Sequence, residues 1–427
     1  MNRFFGWRMV AIAIAIDFFA VGFAFQSYPV IQLQLEEELN LSRFLTTLTI
    51  PIFMICSALF FPVVGKLLDR HSVKRILVWG GFIYSLSLMG LYLTVNYLSF
   101  IIVYALPIAL GATLMGNLST SKLVSSWFEK QAGRALGIAA MGVSFAGFIF
   151  PNLTQYFLMD ILLLEWREVY LVFGIFLLFL ITPLMFLLVI DNPGDINQEI
   201  DGDSKNEDTE VEELIGLEWE IKDLLKNKNF WILTLVFSLQ FSSMMAILAH
   251  ITFYAAEKGW ADQAAFIFGM YAIPAMISKV VFGWLVEKKL DPRAAVSISL
   301  ALQAIGLVLI LYAQTPMQLA FVIAIFGFGG GAGLPMSNIL FRNTFTPMSF
   351  GTSRGLAQPF IALMQATGTP LVAILFQYYG NYNNAFLLLI AMVVLAIFVI
   401  WLLRNPQTDL SVNSSINESK FSTKGNG

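Results

Sequence analysis

Apolar residues run along this chain in blocks of about twenty, separated by short polar clusters, and that pattern predicts bilayer-crossing helices. A helix rises about 1.5 Å per residue, so roughly 20 apolar residues cover the hydrocarbon core. Such blocks lie near residues 8–30, 45–67, 74–95, 98–124, 134–158, 168–190, 229–252, 264–286, 293–313, 317–341, 354–378 and 382–403, which makes twelve predicted spans. The opening MNRFFGWRMV places positive residues before an apolar run, as a signal peptide would. The run exceeds twenty residues and no small-residue cleavage site follows, so it is read as a first span.

Composition strengthens this reading. The chain is 58% hydrophobic with 39 Phe and only 12% charged, against about 25% charged in soluble domains. The charges that remain are placed unevenly. With the N-terminus inside, the outer connections hold Arg43, Arg167 and Lys258, whereas Lys66, Arg70, Lys74, Arg75, Lys130, Arg134, Lys288, Lys289, Arg293 and Arg404 fall inside. Positive residues accumulate on the cytoplasmic side, so both termini are expected in the cytoplasm, at a bacterial-type inner or plasma membrane. The single cysteine, Cys56, lies within the second span and supplies neither a disulfide framework nor a thiolate metal cluster.

Between spans 6 and 7, residues 191–220 hold twelve Asp or Glu against one Lys, a net −11. Subtracting it from the chain's −3 leaves about +8 elsewhere, so the overall acidity belongs to a linker and implies no nucleic-acid partner. The expected organisation is a first six-helix bundle over 1–190, an acidic cytoplasmic linker over 191–228, partly disordered, a second bundle over 229–404 and a disordered tail over 405–427. The end of the linker, LEWEIKDLLKNKNF, has a helical alternation suited to the inner membrane surface.

The two bundles echo each other. A shift of 218 places Gly65, Leu67, Asp69, Arg70 and Arg75 on Gly283, Leu285, Glu287, Lys288 and Arg293. A shift of 220 places Gly111, Ala112, Leu114, Lys122, Arg134 and Leu136 on Gly331, Ala332, Leu334, Arg342, Arg354 and Leu356. Apolar coincidences come cheaply in this composition, and matched charges do not. Parallel six-helix repeats are a transporter signature.

With G65-x-L67-x-D69-R70, its weaker copy G283-x-L285-x-E287-K288, twelve spans and a long central loop, the sequence resembles the major facilitator superfamily over residues 5–404. The resemblance implies an all-α membrane protein of two pseudo-symmetric six-helix bundles that works by alternating access. It also implies a gating role for Gly65, Asp69, Arg70, Arg134, Gly283, Glu287, Lys288 and Arg354, with Arg70 and Arg134 as partners of Asp69. Ser72 stands where the family has a second glycine, and Val73 where a basic residue is common. GWR at 6–8, W127-F-E-K-Q-A-G-R-A-L-G-I-A-A-M-G142, and Lys279 ahead of Gly283 resemble the monocarboxylate and oxalate/formate branch. Eukaryotic members of that branch carry an acid one turn before the cation, where this chain has Ala275.

Ionisable groups within the hydrocarbon cost a few kcal/mol each on insertion scales and mark candidate sites. Asp17 lies nine residues after Arg8, and Lys279 eight before Glu287, which puts both about 12–14 Å from the inner boundary. Lys279 is the candidate for a substrate carboxylate, and Asp17 for a proton or for pairing with an unoccupied Lys279; a fixed structural pair is the plain alternative. Spans 1, 4, 7 and 10 line the cavity in the superfamily, which adds Gln26, Tyr28, Asn117, Gln240 and Asn338 as substrate-binding candidates. A lone amide in such a span is also commonly a helix-to-helix hydrogen bond. His250 is expected near the outer interface, and Lys122 and Arg342 at inner helix ends.

FGFGGGAGLP at 326–335 lacks the strand, Lys and Ser/Thr of a phosphate loop, and reads as close packing and bending within span 10. No nucleophile–base–orienter set and no metal-ligand spacing is present, so no enzymatic activity, cofactor or metal is expected. The expectation is a monomeric secondary transporter of a small organic anion, with a monocarboxylate as the leading class, and with proton symport or exchange against a counter-anion. Proton-coupled efflux of amphipathic compounds is the alternative within transport, and a sensor or receptor without turnover the alternative outside it.

Overall fold

The computed structural model describes residues 4–202 and 219–403. They contain twelve helices long and apolar enough to cross a membrane, at Gly6–Gln32, Leu45–Arg70, Val73–Leu93, Tyr97–Trp127, Ala132–Ile161, Trp166–Leu188, Lys228–Glu257, Ala261–Glu287, Pro292–Tyr312, Pro316–Phe345, Phe350–Tyr379 and Asn383–Ile400. These are spans 1 to 12, with no strand among the described residues. Short polar side chains set several of their starts by accepting an otherwise unpartnered backbone N–H. Ser72 caps span 3 through Arg75 N at 3.2 Å, Asn96 caps span 4 through Ser99 N at 2.9 Å, and Asp291 caps span 9 through Arg293 N at 2.8 Å.

Several spans are interrupted inside the membrane. Span 4 breaks at Gly116, whose backbone is extended between Ala109–Met115 and Asn117–Trp127. Span 5 breaks at Ala140, between Ala132–Ala139 and Met141–Asn152. Span 10 breaks at Ala332, between Pro316–Gly331 and Gly333–Phe345, in the middle of the glycine run. Span 11 remains one helix through both Pro359 and Pro370. Interrupted helices at corresponding places in two repeats free backbone groups near a transporter's midplane.

Spans 1–6 and spans 7–12 form the two halves. They meet chiefly where span 2 packs on span 11 and span 5 on span 8. Both seams are made of bare backbone. A Cβ on Gly65 would lie 2.0 Å from Gly351 O, and one on Gly283 would lie 2.2 Å from Gly133 O. Side chains of any size would push these helices apart. At the shift of 218, Gly133 and Gly137 fall on Gly351 and Gly355, so the two seams are one contact used twice.

The first part of the linker is anchored to the first half. Asp191 accepts hydrogen bonds from the Ser72 hydroxyl and, at 2.7 Å, from Lys74 N. Asp201 accepts from the backbone N–H of Glu129, Lys130 and Gln131. These carboxylates satisfy exposed loop amides of the first half, which is why residues 191–202 are held against it. The linker's other end forms a short helix, Ile221–Lys226, with Leu224 buried. Residues 203–218, Arg404 and the tail 405–427 lie outside the described residues.

Candidate functional site

The two membrane-embedded charges meet the same stretch of span 5. Gly142 on that span leaves room for span 1, since a Cβ there would be 2.3 Å from Ile14 O and 3.0 Å from Asp17 Cβ. Asp17 is fully buried. Its Oδ2 accepts from Asn117 Nδ2 at 2.9 Å and its Oδ1 from Thr120 Oγ1 at 2.8 Å, both on span 4 just past the Gly116 break. From the other half, Lys279 Nζ donates to Ala140 O at 3.0 Å and to Ser144 Oγ at 2.6 Å. Ala140 is the residue at which span 5 is interrupted.

Lys279 is 7% exposed, and neither hydrogen-bond partner carries a charge. An ammonium has three N–H donors, so one remains beyond Ala140 and Ser144. Asp17 and Lys279 form no ion pair with each other among the described residues; each is satisfied by neutral groups. A buried charge of this kind is costly unless paired.

Asn117 carries the network onward. Its Oδ1 accepts from Asn338 Nδ2 at 3.1 Å, and Asn338 also donates to Ser121 Oγ at 2.8 Å. Asn338 Oδ1 accepts from Arg354 Nε at 3.2 Å, and Arg354 Nη1 donates to Gln358 Oε1 at 2.6 Å. The chain Asp17–Asn117–Asn338–Arg354 therefore crosses from one half to the other through buried side chains and the half-buried Asn117. Arg354, read from the sequence as a gating residue, lies inside this network at 5% exposure and not at the loop.

The end of the molecule that carries the repeated loops is sealed by reciprocal contacts. Asp69 accepts from Gly351 N at 3.0 Å and Thr352 N at 2.6 Å at the start of span 11, where N–H groups and the helix dipole favour an anion. Its cationic partner is Lys122 at 2.6 Å, not Arg70 or Arg134 as the resemblance implied. Arg70 is exposed, and neither it nor Lys288 has a partner among the described residues. Lys122 reaches across to Pro347 O at 2.7 Å and Met348 O at 3.2 Å, while Arg342 reaches back to Phe128 O at 2.9 Å. Arg134 instead pairs with Glu287 at 3.5 Å and stacks over Trp7 at 5.0 Å. That stack brings the GWR motif against the motif opening span 5.

Removing Lys122 tests this seal. Lys122→Ala deletes two hydrogen bonds across the halves and the ion pair to Asp69 within the first half, but leaves Asp69 its two backbone donors. The expected result is a several-fold faster thiol alkylation of a cysteine introduced at Ser121, with the protein still folded; an unchanged rate would deny Lys122 any part in sealing.

Other candidates are placed differently from the sequence expectation. The Tyr28 hydroxyl is committed to Thr46 O at 2.7 Å within the first half. Gln240 is buried between spans 7 and 9, donating to Ser299 Oγ at 3.3 Å with its Oε1 unpartnered among the described residues. Gln26 is half-buried beside Gly147 of span 5. His250 is buried, and its Nε2 lies 3.0 Å from Thr369 O of span 11. Nothing tied Lys122 to Asp69 in advance, although its repeat match with Arg342 was the available signal.

A family model described as the Major Facilitator Superfamily matches residues 10–293 and 261–425. The chain belongs to this superfamily. Its family and fold are those of transporters, and it is an integral multi-pass membrane protein. Among curated relatives, Monocarboxylate transporter 13 of Rattus norvegicus is 27% identical over 275 residues, covering 62% of this chain and 58% of that protein. The Bos taurus protein of the same name gives 26% over 270 residues, 62% and 59%, so the chain spans less than two thirds of the length of these relatives. The multi-drug resistance efflux pump PmrA of Streptococcus pneumoniae is 26% identical over 318 residues, 74% of each chain. Of solved structures, the proton:xylose symporter XylE matches with TM-score 0.77 at 14% identity over 93% of this chain and 95% of that one. FucP in the outward conformation gives 0.67 at 15% identity over 92% and 98%. At such identities the likeness to these two shows the fold alone.

Proposed function

We propose that this superfamily member is a secondary transporter of a small organic anion, a monocarboxylate, driven by proton symport or by exchange for another anion. One observation carries the reading: Lys279 is a buried ammonium whose two hydrogen-bond partners are both neutral, contributed by one half and held by the other. A carboxylate meeting its third N–H would supply the missing counter-charge, and Gln26 would offer a further hydrogen bond. The relatives named monocarboxylate transporter support the same class of cargo. Asp17, at the same level of span 5, is the group proposed to take the proton.

In the proposed cycle the bundles over 1–190 and 229–404 rock about the site, and the glycine seams close one end at a time. The basic end, assigned to the cytoplasm of a cell membrane by its lysines and arginines, is sealed here, so the anion would enter from the opposite face. A second reading, proton-coupled efflux of amphipathic compounds, is favoured by the match to PmrA, which covers more of the chain than the carboxylate relatives do. In that case Asp17 works and Lys279 does not.

The test is uptake of radiolabelled formate, acetate, lactate, pyruvate and oxalate into proteoliposomes under an inward proton gradient. Wild type is expected to accumulate one of them, and Asp17→Asn to lose the response to the gradient while still exchanging anion for anion. Failure of every anion, with gradient-driven movement of an amphipathic dye, would replace the first reading by the second.

A further inference from the structure

A charged cavity lies away from the membrane-embedded site, at the sealed end. It measures about 390 Å³ and is walled by three separate parts of the chain. Lys66, Asp69 and Arg70 come from the end of span 2, Trp219, Glu220, Ile221 and Lys222 from the end of the linker, and Met348, Ser349 and Thr352 from the turn into span 11. That volume is within the usual range for a small-molecule site. The linker wall is fixed in place, since Trp219 N donates to Ser349 Oγ at 2.9 Å and the Trp219 ring packs edge-on against Phe345 at 5.5 Å.

The charges in this cavity do not cancel. Asp69 is already matched by Lys122 and by two backbone N–H groups. Lys66, Arg70 and Lys222 have no hydrogen-bond or ion-pair partner among the described residues, and only Glu220 opposes them. Three cations against two acids leave the lining at +1, or about +2 once Lys122 is counted with Asp69, beside apolar Trp219, Ile221 and Met348. A tetrahedral oxyanion suits this set, because an arginine fork and two ammonium groups can each take a different oxygen.

We propose that this cavity binds a phosphate group, carried by an anionic lipid headgroup or by a free phosphate compound, and that its occupant holds the basic end closed. The second statement follows from the walls. One side belongs to the first half and two to the linker and second half, so the site exists only while span 2 and span 11 are together at this end. A ligand that binds one conformation and not the other shifts the equilibrium toward the one it binds.

The test uses the full chain in nanodiscs. The free probe is inorganic phosphate against chloride at equal ionic strength, in phosphatidylcholine discs; the lipid probe is phosphatidylglycerol replacing part of the phosphatidylcholine. Two readouts are taken, Tm and the spin-label distance across the basic end. Expected is a saturable rise in Tm with a narrowed short-distance population, and an apparent Kd about tenfold weaker in the Lys66→Gln/Lys222→Gln double variant. The charge-retaining Lys66→Arg/Lys222→Arg variant should keep the effect. A response to phosphatidylglycerol alone names the lipid as source, and a response to inorganic phosphate alone names a soluble one. No response to either, or an equal response in the Gln variant, overturns the proposal. Both lysines are exposed and outside the transport machinery, so carboxylate uptake without the phosphate probe should be unchanged. The outcome is therefore independent of whether the cargo assignment holds.

Discussion

Lys279→Ala is expected to lower carboxylate uptake by roughly 10²–10³-fold with little change in the folded protein. In the folded state the substitution removes two hydrogen bonds from a charged donor, each worth about 1.5–3 kcal/mol, and offsets that loss by removing the cost of burying the charge. For a bound anion the loss is larger. Truncating one partner of a desolvated, hydrogen-bonded charge pair costs about 2–5 kcal/mol, and each 1.4 kcal/mol is a factor of ten. Lys279→Met, which keeps the apolar stem, separates charge from packing. A Met variant that still concentrates the anion would end the anion reading, whereas loss of uptake with Tm preserved would support it.

The second large effect is expected at the glycine seams. A Cβ on Gly65 would sit 2.0 Å from Gly351 O, backbone that cannot rotate away. Overpacking of this kind typically costs about 1–3 kcal/mol, so Gly65→Val should move the equilibrium roughly 5–150-fold toward the state with the basic end open. The change would be read as a lengthened spin-label distance across that end and a transport rate reduced in parallel. Gly283→Val, at the duplicate seam, should act alike. Gly90→Ala is the control, because the nearest atom to its new methyl would be Val103 Cγ1 at 3.9 Å. If Gly65→Val leaves the distance distribution where it was, the seam does not control closure.

Most of the fold was legible because a span must be about twenty apolar residues long, and twelve such runs are hard to hide. The boundaries drifted by a few residues where caps and apolar flanks overlap, as at span 10, expected at 317–341 and found at Pro316–Phe345. The repeat also exposed the seams, since Gly65 and Gly283 matched along with their acids. What could not be read was who meets whom. Lys122 and Asp69 are 53 positions apart, and Asn117 and Asn338 are 221 apart. A single chain carries no record of such pairings. Polar residues inside spans divided in the same way: Asn117 and Asn338 bridge the halves, while the Tyr28 hydroxyl and His250 tie helices within one half. Composition treats all four alike.

The ammonium of Lys279 rides on the second half, but the oxygens that solvate it belong to the first. When spans 5 and 8 part, an empty carrier would drag that charge away from Ala140 and Ser144 into a low-dielectric interior with no replacement. A loaded carrier would take its counter-ion along. On the proposed reading, reorientation without cargo is then the slow leg of the cycle. Swapping one anion for another across the membrane should outrun net flux, and abundant anion on the receiving side would speed the protein rather than stall it.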